Sequence, residues 1–225
     1  MDSNQWIDLP LFPLNTVLFP GMILPLHIFE ERYKLMIQHC LDEERPFGVL
    51  LIREGKEVGG TAVPHTVGTS TLIASVTRAD GGRMNIITIG LERFRLQTLC
   101  RDRPYLVGDA EPFPLTGGET KQARALVGPV RALLRQYLGL LEQAQGHNIE
   151  IDDVPTDPRT LALLVAITLQ LPMSQKQGLL AQPTVERMLL AERAIMNREQ
   201  LLLDYMIETQ SEQWEGGHSG YLAKN

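Results

Sequence analysis

A chain of 225 residues with 44% hydrophobic and 21% charged positions has the composition of an ordinary globular protein, long enough for one large core or two small ones. Two cysteines, Cys40 and Cys100, exclude a disulfide scaffold, and the absence of any CxxC or Cys/His cluster removes the usual zinc patterns, which points to a reducing, cytoplasmic setting. The net charge of −6 is shared evenly between the halves, so neither is built to hold a polyanion by bulk charge.

The opening MDSNQWIDLP has neither a basic nor an apolar leader region, and the apolar stretch Leu161 to Leu171 is far short of the ~20 residues of a membrane span. A soluble protein is expected. Between Leu9 and Leu26, apolar runs are broken by Pro10, Pro13, Pro20, Gly21 and Pro25, which denies helix and predicts irregular β structure with prolines at turns, edges and bulges. From Phe29 the period changes. Phe29, Tyr33, Met36, Ile37, Cys40 and Leu41 recur at helical spacing, and Glu30 and Lys34 on the other face are set for an i,i+4 pair.

The solid apolar run Phe47 to Ile52 reads as a buried strand, and REGKEVGG after it as a loop. Thr69 to Arg78 and Met84 to Ile89 are β-branched and flank Asp80-Gly81-Gly82, a hairpin pattern. FRLQTLCRDR and YLVGDAEPF read as two further strands. Near Thr116 to Thr120 the character becomes helical. Glu119 to Gln143 carries Leu126, Val130, Leu134, Tyr137 and Leu141 on one side, with a kink or restart expected at Gly128-Pro129. A loop follows at residues 146 to 156. Asp157 and Pro158 supply an N-cap and a first-turn proline for RTLALLVAITLQL, Ser174 to Gln177 fits a capping box, and Thr184 precedes the longest helix. The expected division is a β-rich unit over 1–115, a helical unit over 116–212 and a flexible tail over 213–225, an α+β protein.

LPLFPLNTVLFPGMILPLHIFEERYKLMIQHCL closely resembles the opening of the Lon protease N-terminal domain. VGTSTLIASVTRADGGRMNIITIGLERFRL resembles the central hairpin of that family with its Gly-Leu-Glu-Arg-Phe stretch, and PYLVGDAEPFP its next strand. DPRTLALLVAITLQLPMSQKQGLLAQPTVERMLLAERAI is similar in layout to its C-terminal helices. The resemblance implies a PUA-like β-rich subdomain with one inserted helix, followed by an α-helical bundle. It also implies recognition of unfolded or peptide-like protein segments within a protease system, with catalysis residing elsewhere.

No G-x-x-x-x-G-K-[ST] is present to cradle nucleotide phosphates, and no H-E-x-x-H, G-x-S-x-G or G-x-G-x-x-G occurs. The expectation is therefore a stand-alone, non-enzymatic version of the domain, either an adaptor or a competitor in protein quality control, with no cofactor, metal or membrane and with its oligomeric state open. Asp42-Glu43-Glu44 and Asp152-Asp153 read as solvated surface, and the two cysteines as inert core thiols.

Candidate peptide-binding residues are Phe29 and Tyr33, which share one helix face, and Arg93 and Arg95. If residues 93 to 103 form one strand, alternation puts Arg93, Arg95, Arg101 and Arg103 on a single basic face. Core packing for the aromatics and ion pairing for the arginines are the plainer readings. PUA-like folds also serve RNA-binding proteins, so a basic strand face for RNA is the rival, disfavoured by charge. A pocket for a small-molecule ligand is a third reading that no phosphate-binding motif supports.

Overall fold

The computed structural model describes residues 5–59, 62–145 and 153–216. Seven strands come first, with one helix inserted: β1 (Trp6–Leu14), β2 (Ile23–Ile28), α1 (Glu31–Asp42), β3 (Phe47–Gly55), β4 (Ala62–Pro64), β5 (Val67–Arg78), β6 (Met84–Leu96) and β7 (Leu106–Pro112). Four helices follow: α2 (Lys121–Gln145), α3 (Pro158–Thr168), α4 (Met173–Leu180) and α5 (Val185–Gly216). The fold is α+β. Contacts separate the chain into two units, the first running through Thr116 and also taking in Ala166–Thr184, the second holding Gly117–Val165 and the chain from Val185 onward. The loop expected at residues 146 to 156 falls largely outside the described residues, as does the tail beyond Gly216.

In the first unit β1, β7, β6, β5 and β3 pair in a ring closed by the parallel β1–β3 contact, with β4 on β3 and β2 on β6. Burial explains β1. Its Leu9 and Leu11 pack with Leu50, Phe94 and Ala110, whereas Phe12 and Leu14, pointing the other way, join the α1 residues Tyr33, Met36, Ile37 and Cys40. A strand buried on both faces carries apolar residues at consecutive positions, here around Pro10 and Pro13, which hides its period of two. Gly48 of β3 is required by close approach, since a Cβ there would meet the Phe94 ring at 2.6 Å.

The hairpin β5–β6 forms around a 3-10 turn at Asp80–Gly82 in which both glycines have φ near 70°. Against expectation, β6 does not stop at Gly90. That glycine lets the Phe19 carbonyl pack against the strand, which continues to Leu96, and it is the segment beyond that leaves the sheet. Two more sequence readings need correction. Glu30 is the cap residue ahead of α1, in extended conformation, so it pairs with Arg32 at 3.0 Å and Lys34 pairs with Glu31 at 2.8 Å. α4 begins at Met173, which puts Ser174 inside the helix, and Gln177 sends its amide Nε2 to the Val67 carbonyl at 2.9 Å in place of a capping box.

In the second unit α2 runs as one helix through Pro129 and pairs with α5. Val130, Leu134, Tyr137, Leu138 and Leu141 are buried on α2, Val185, Met188, Leu189 and Met196 on α5. The Gln200 amide bonds the Leu133 carbonyl at 2.9 Å. α3 starts as its sequence predicts, with the Asp157 carboxylate accepting from the Thr160 backbone N–H at 2.8 Å and hydroxyl at 2.7 Å.

Candidate functional site

Among the described residues β2 pairs with β6 alone, from Ile23 opposite Ile89 to Ile28 opposite Met84, so no described strand lies beside its other edge. Pro25 sits in this edge strand, where a missing N–H is tolerated. A cavity of about 240 Å³ runs along it, lined mainly by apolar residues, Pro25 through Phe29 with Phe12, Leu14, Tyr33 and Val58, and bordered by Glu30 and Glu57. Four consecutive β2 residues, Pro25 to Ile28, rather than alternate ones, line it together with Phe29 just beyond the strand, so the cavity follows the backbone edge of the strand and not one of its faces.

Phe29 and Tyr33 are brought together here, in different roles. Phe29 precedes α1, is 46% exposed, and stacks on His27 with ring centroids 5.9 Å apart. Tyr33 is 5% exposed and stacks on Phe12 at 4.0 Å, with the Arg32 guanidinium 4.5 Å from its ring centroid. Burial pushes the Tyr33 phenol up to about 12, which leaves it a hydrogen-bond donor at neutral pH.

Arg93 and Arg95 lie elsewhere in the unit, both against the Phe113 ring, 4.7 and 4.1 Å from its centroid. Arg93 is 3% exposed, and its Nη1 donates to the carbonyls of Leu180 at 2.6 Å and Gln182 at 2.7 Å, which close the C-terminus of α4. Arg95 stays at the surface, 3.9 Å from Glu111. The single basic strand face does not form, because β6 ends at Leu96 and residues 97–105 leave the sheet except for a bridge between Cys100 and Val107.

Arg101 and Arg103 turn instead to a cavity of about 170 Å³ that they share with Arg32, Tyr33 and Tyr105. Arg101 donates to the Ala62 carbonyl at 3.1 Å, Arg103 to the Asp8 carboxylate at 2.8 Å, and Arg32 to the Glu57 carbonyl at 3.1 Å. Sequence reasoning missed this grouping. Asp102-Arg103-Pro104 was the available signal, since a proline inside a candidate strand argues for a turn.

Among the described residues no three His, Cys, Asp or Glu side chains gather as metal ligands, and no helix is long and apolar enough to cross a membrane. Burial raises the Cys40 thiol to about 12, so it stays protonated at neutral pH.

An open-edged strand beside an apolar cleft on a small β ring is the arrangement of a binding module. A family model described as the ATP-dependent protease La (LON) substrate-binding domain matches residues 8–198, and the chain belongs to that family. It is 27% identical over 198 residues to Lon protease 2 of Myxococcus xanthus, covering 87% of this chain and 24% of that protein. To the Lon protease of Paraburkholderia phytofirmans it is 32% identical over 180 residues, covering 77% and 22%. The chain thus spans about a quarter of the length of these curated relatives. The crystal structure of a Lon N-terminal domain protein from Xanthomonas campestris superimposes with a TM-score of 0.61 at 26% identity, over 88% of this chain and 98% of that one. The N-terminal domain of Mycobacterium avium complex Lon protease shares the fold, with a TM-score of 0.65 at 21% identity over 85% and 98%.

Proposed function

We propose that this chain captures extended, peptide-like segments of protein substrates at the β2 edge and performs no chemistry on them, serving as an adaptor in protein quality control. The observation that carries the reading is the cleft along Pro25–Phe29. An unpaired edge offers main-chain hydrogen bonds to a peptide of any sequence, and an apolar cleft beside it takes side chains. Unfolded segments present both. Membership of a substrate-binding family supports the same direction.

Phe29 is the residue that contacts the peptide, being aromatic, accessible and at the end of the cleft. Tyr33 acts as the buried wall. Arg95 orients acidic flanks from a distance, and Arg93 contributes by holding α4 in place. Phe29→Ala should weaken binding of a labelled extended apolar peptide by about 1–2 kcal/mol, roughly five- to thirtyfold in Kd, without lowering the unfolding midpoint. Anisotropy titration together with photo-crosslinking checks this. Adducts confined to regions away from Pro25–Phe29, or an unchanged Kd, would sink the reading. Incubation with ATP or casein should yield no hydrolysis.

A further inference from the structure

We propose that the cavity walled by Arg32, Arg101 and Arg103 is a carboxylate subsite of the peptide cleft, reached past Tyr33, and that it takes an acidic side chain or the C-terminal carboxylate of a bound segment. The inference rests on the peptide reading above and names the chemistry that the cleft selects.

Three guanidinium groups from two separate parts of the chain converge on the cavity, and no acidic side chain lines it. Their neighbours hold them in place. Asp8 pairs with Arg103 at 2.8 Å and Glu30 with Arg32 at 3.0 Å, whereas Arg101 has no carboxylate partner among the described residues and is oriented by the Ala62 carbonyl alone. A guanidinium has five N–H donors in a planar fork. Arg101 and Arg103, each fixed through one Nη2, keep donors for a ligand, and the fork matches a carboxylate in bidentate fashion.

Two tyrosines complete the wall. Tyr33 and Tyr105 are 5% and 8% exposed, both line the cavity, and neither hydroxyl has a hydrogen-bond partner among the described residues. A phenol hydroxyl is a donor, so each adds to what an anion entering the cavity can accept from. Charge selects among anions. Asp8 and Glu30 offset two of the guanidiniums and Glu57 acts on Tyr33 from nearby, so the surroundings favour a single carboxylate paired by Arg101 over a multiply charged phosphate chain. The net charge of −6 on the whole chain acts in the same sense.

Because Tyr33 lines both cavities, a peptide lying along β2 can place an acidic group past that ring while its apolar side chains occupy the cleft. The test compares three labelled peptides sharing one extended apolar core: a Gln-containing amide, its Glu analogue, and the Gln peptide with a free C-terminus. One acid-bearing peptide is expected to bind about tenfold tighter than the Gln amide at low salt, a single charge-assisted bond's worth. Which one it is separates side-chain from C-terminal recognition. Arg101→Gln should bring the three within about twofold of one another and leave the Gln amide unchanged.

Equal binding of all three to the parent protein overturns the subsite and leaves the peptide reading standing. An equal loss for all three in Arg101→Gln does the same. If none of the three binds, N-acetylglutamate is titrated against arginine side-chain NMR signals. A saturating shift at Arg101 that N-acetylglutamine does not give supports the carboxylate site alone, and no shift overturns it. Displacement of the acidic peptide by oligouridylate at concentrations below that peptide's own Kd reassigns the cavity to nucleic-acid phosphate.

Discussion

Arg93 and Arg95 are two residues apart on one strand, yet the fold gives them different work. Arg93 reaches the Leu180 and Gln182 carbonyls at the end of α4 through its Nη1, while Arg95 lies 4.1 Å from the Phe113 ring centroid and stays half-exposed. Replacing Arg93 by Met leaves the Leu180 and Gln182 oxygens without that cation, at a cost of about 3 kcal/mol for two charge-assisted bonds. Arg95→Ala removes a long surface pair and a ring contact, worth about 0.5–1 kcal/mol. Urea unfolding of the two single variants should show that gap. A similar midpoint for both would mean that the α4 anchor is dispensable. Peptide binding should respond in the opposite sense: Arg95→Ala weakens acidic peptides modestly, and the loss shrinks as salt screens it. Alternation alone assigns both side chains to one face of a regular strand. It carried no information on which of them a helix from far along the chain would cover.

At the level of elements, what was legible depended on whether the signal was local. The β5–β6 hairpin and the start of α3 are written in adjacent residues, a double-glycine turn in one case and Asp157-Pro158 in the other, and both formed as read. The capping box at Ser174 failed because Gln177 found a carbonyl 110 residues away. The edge position of β2 was equally hidden, since it depends on which strand β6 pairs with. Asp157 offers a quantitative check. Its two bonds from Thr160 hold the carboxyl below the usual range, so its contribution is fully present above the unfolded value and fades as pH falls through the folded one. Asp157→Ala should therefore cost about 1 kcal/mol at neutral pH, with the parent and variant converging in strong acid. Circular dichroism melts across that range measure it, and a constant difference at every pH would remove the capping role.

Across the whole molecule, the switch from period two to period 3.6 after Leu115 made the α+β character readable, because each period follows from a different backbone geometry. The placing of Ala166–Thr184 with the β-rich unit was not readable: Arg93 and Gln177 make the bonds that hold α4, at separations of 87 and 110 residues. The helical unit hides a further property of the whole chain in one acid. Glu192 of α5 is 0% exposed, and neither carboxylate oxygen has a hydrogen-bond partner among the described residues. Burial therefore drives its carboxyl well above the ordinary value of 4.5. The sign follows from proton counting. Above that value the folded protein keeps a proton that the unfolded chain has lost, so stability is greatest below it and falls as pH rises toward the folded pKa. Glu192→Gln keeps the shape and cannot ionise. It should unfold at higher urea than the parent at pH 8, and the gain should vanish near pH 4. The comparison belongs in urea titrations at four or five pH values on the full chain, followed by far-ultraviolet circular dichroism, which weights the helices. A gain that is the same at pH 4 and pH 8 would show that packing, and not a buried ionisation, sets the stability of α5.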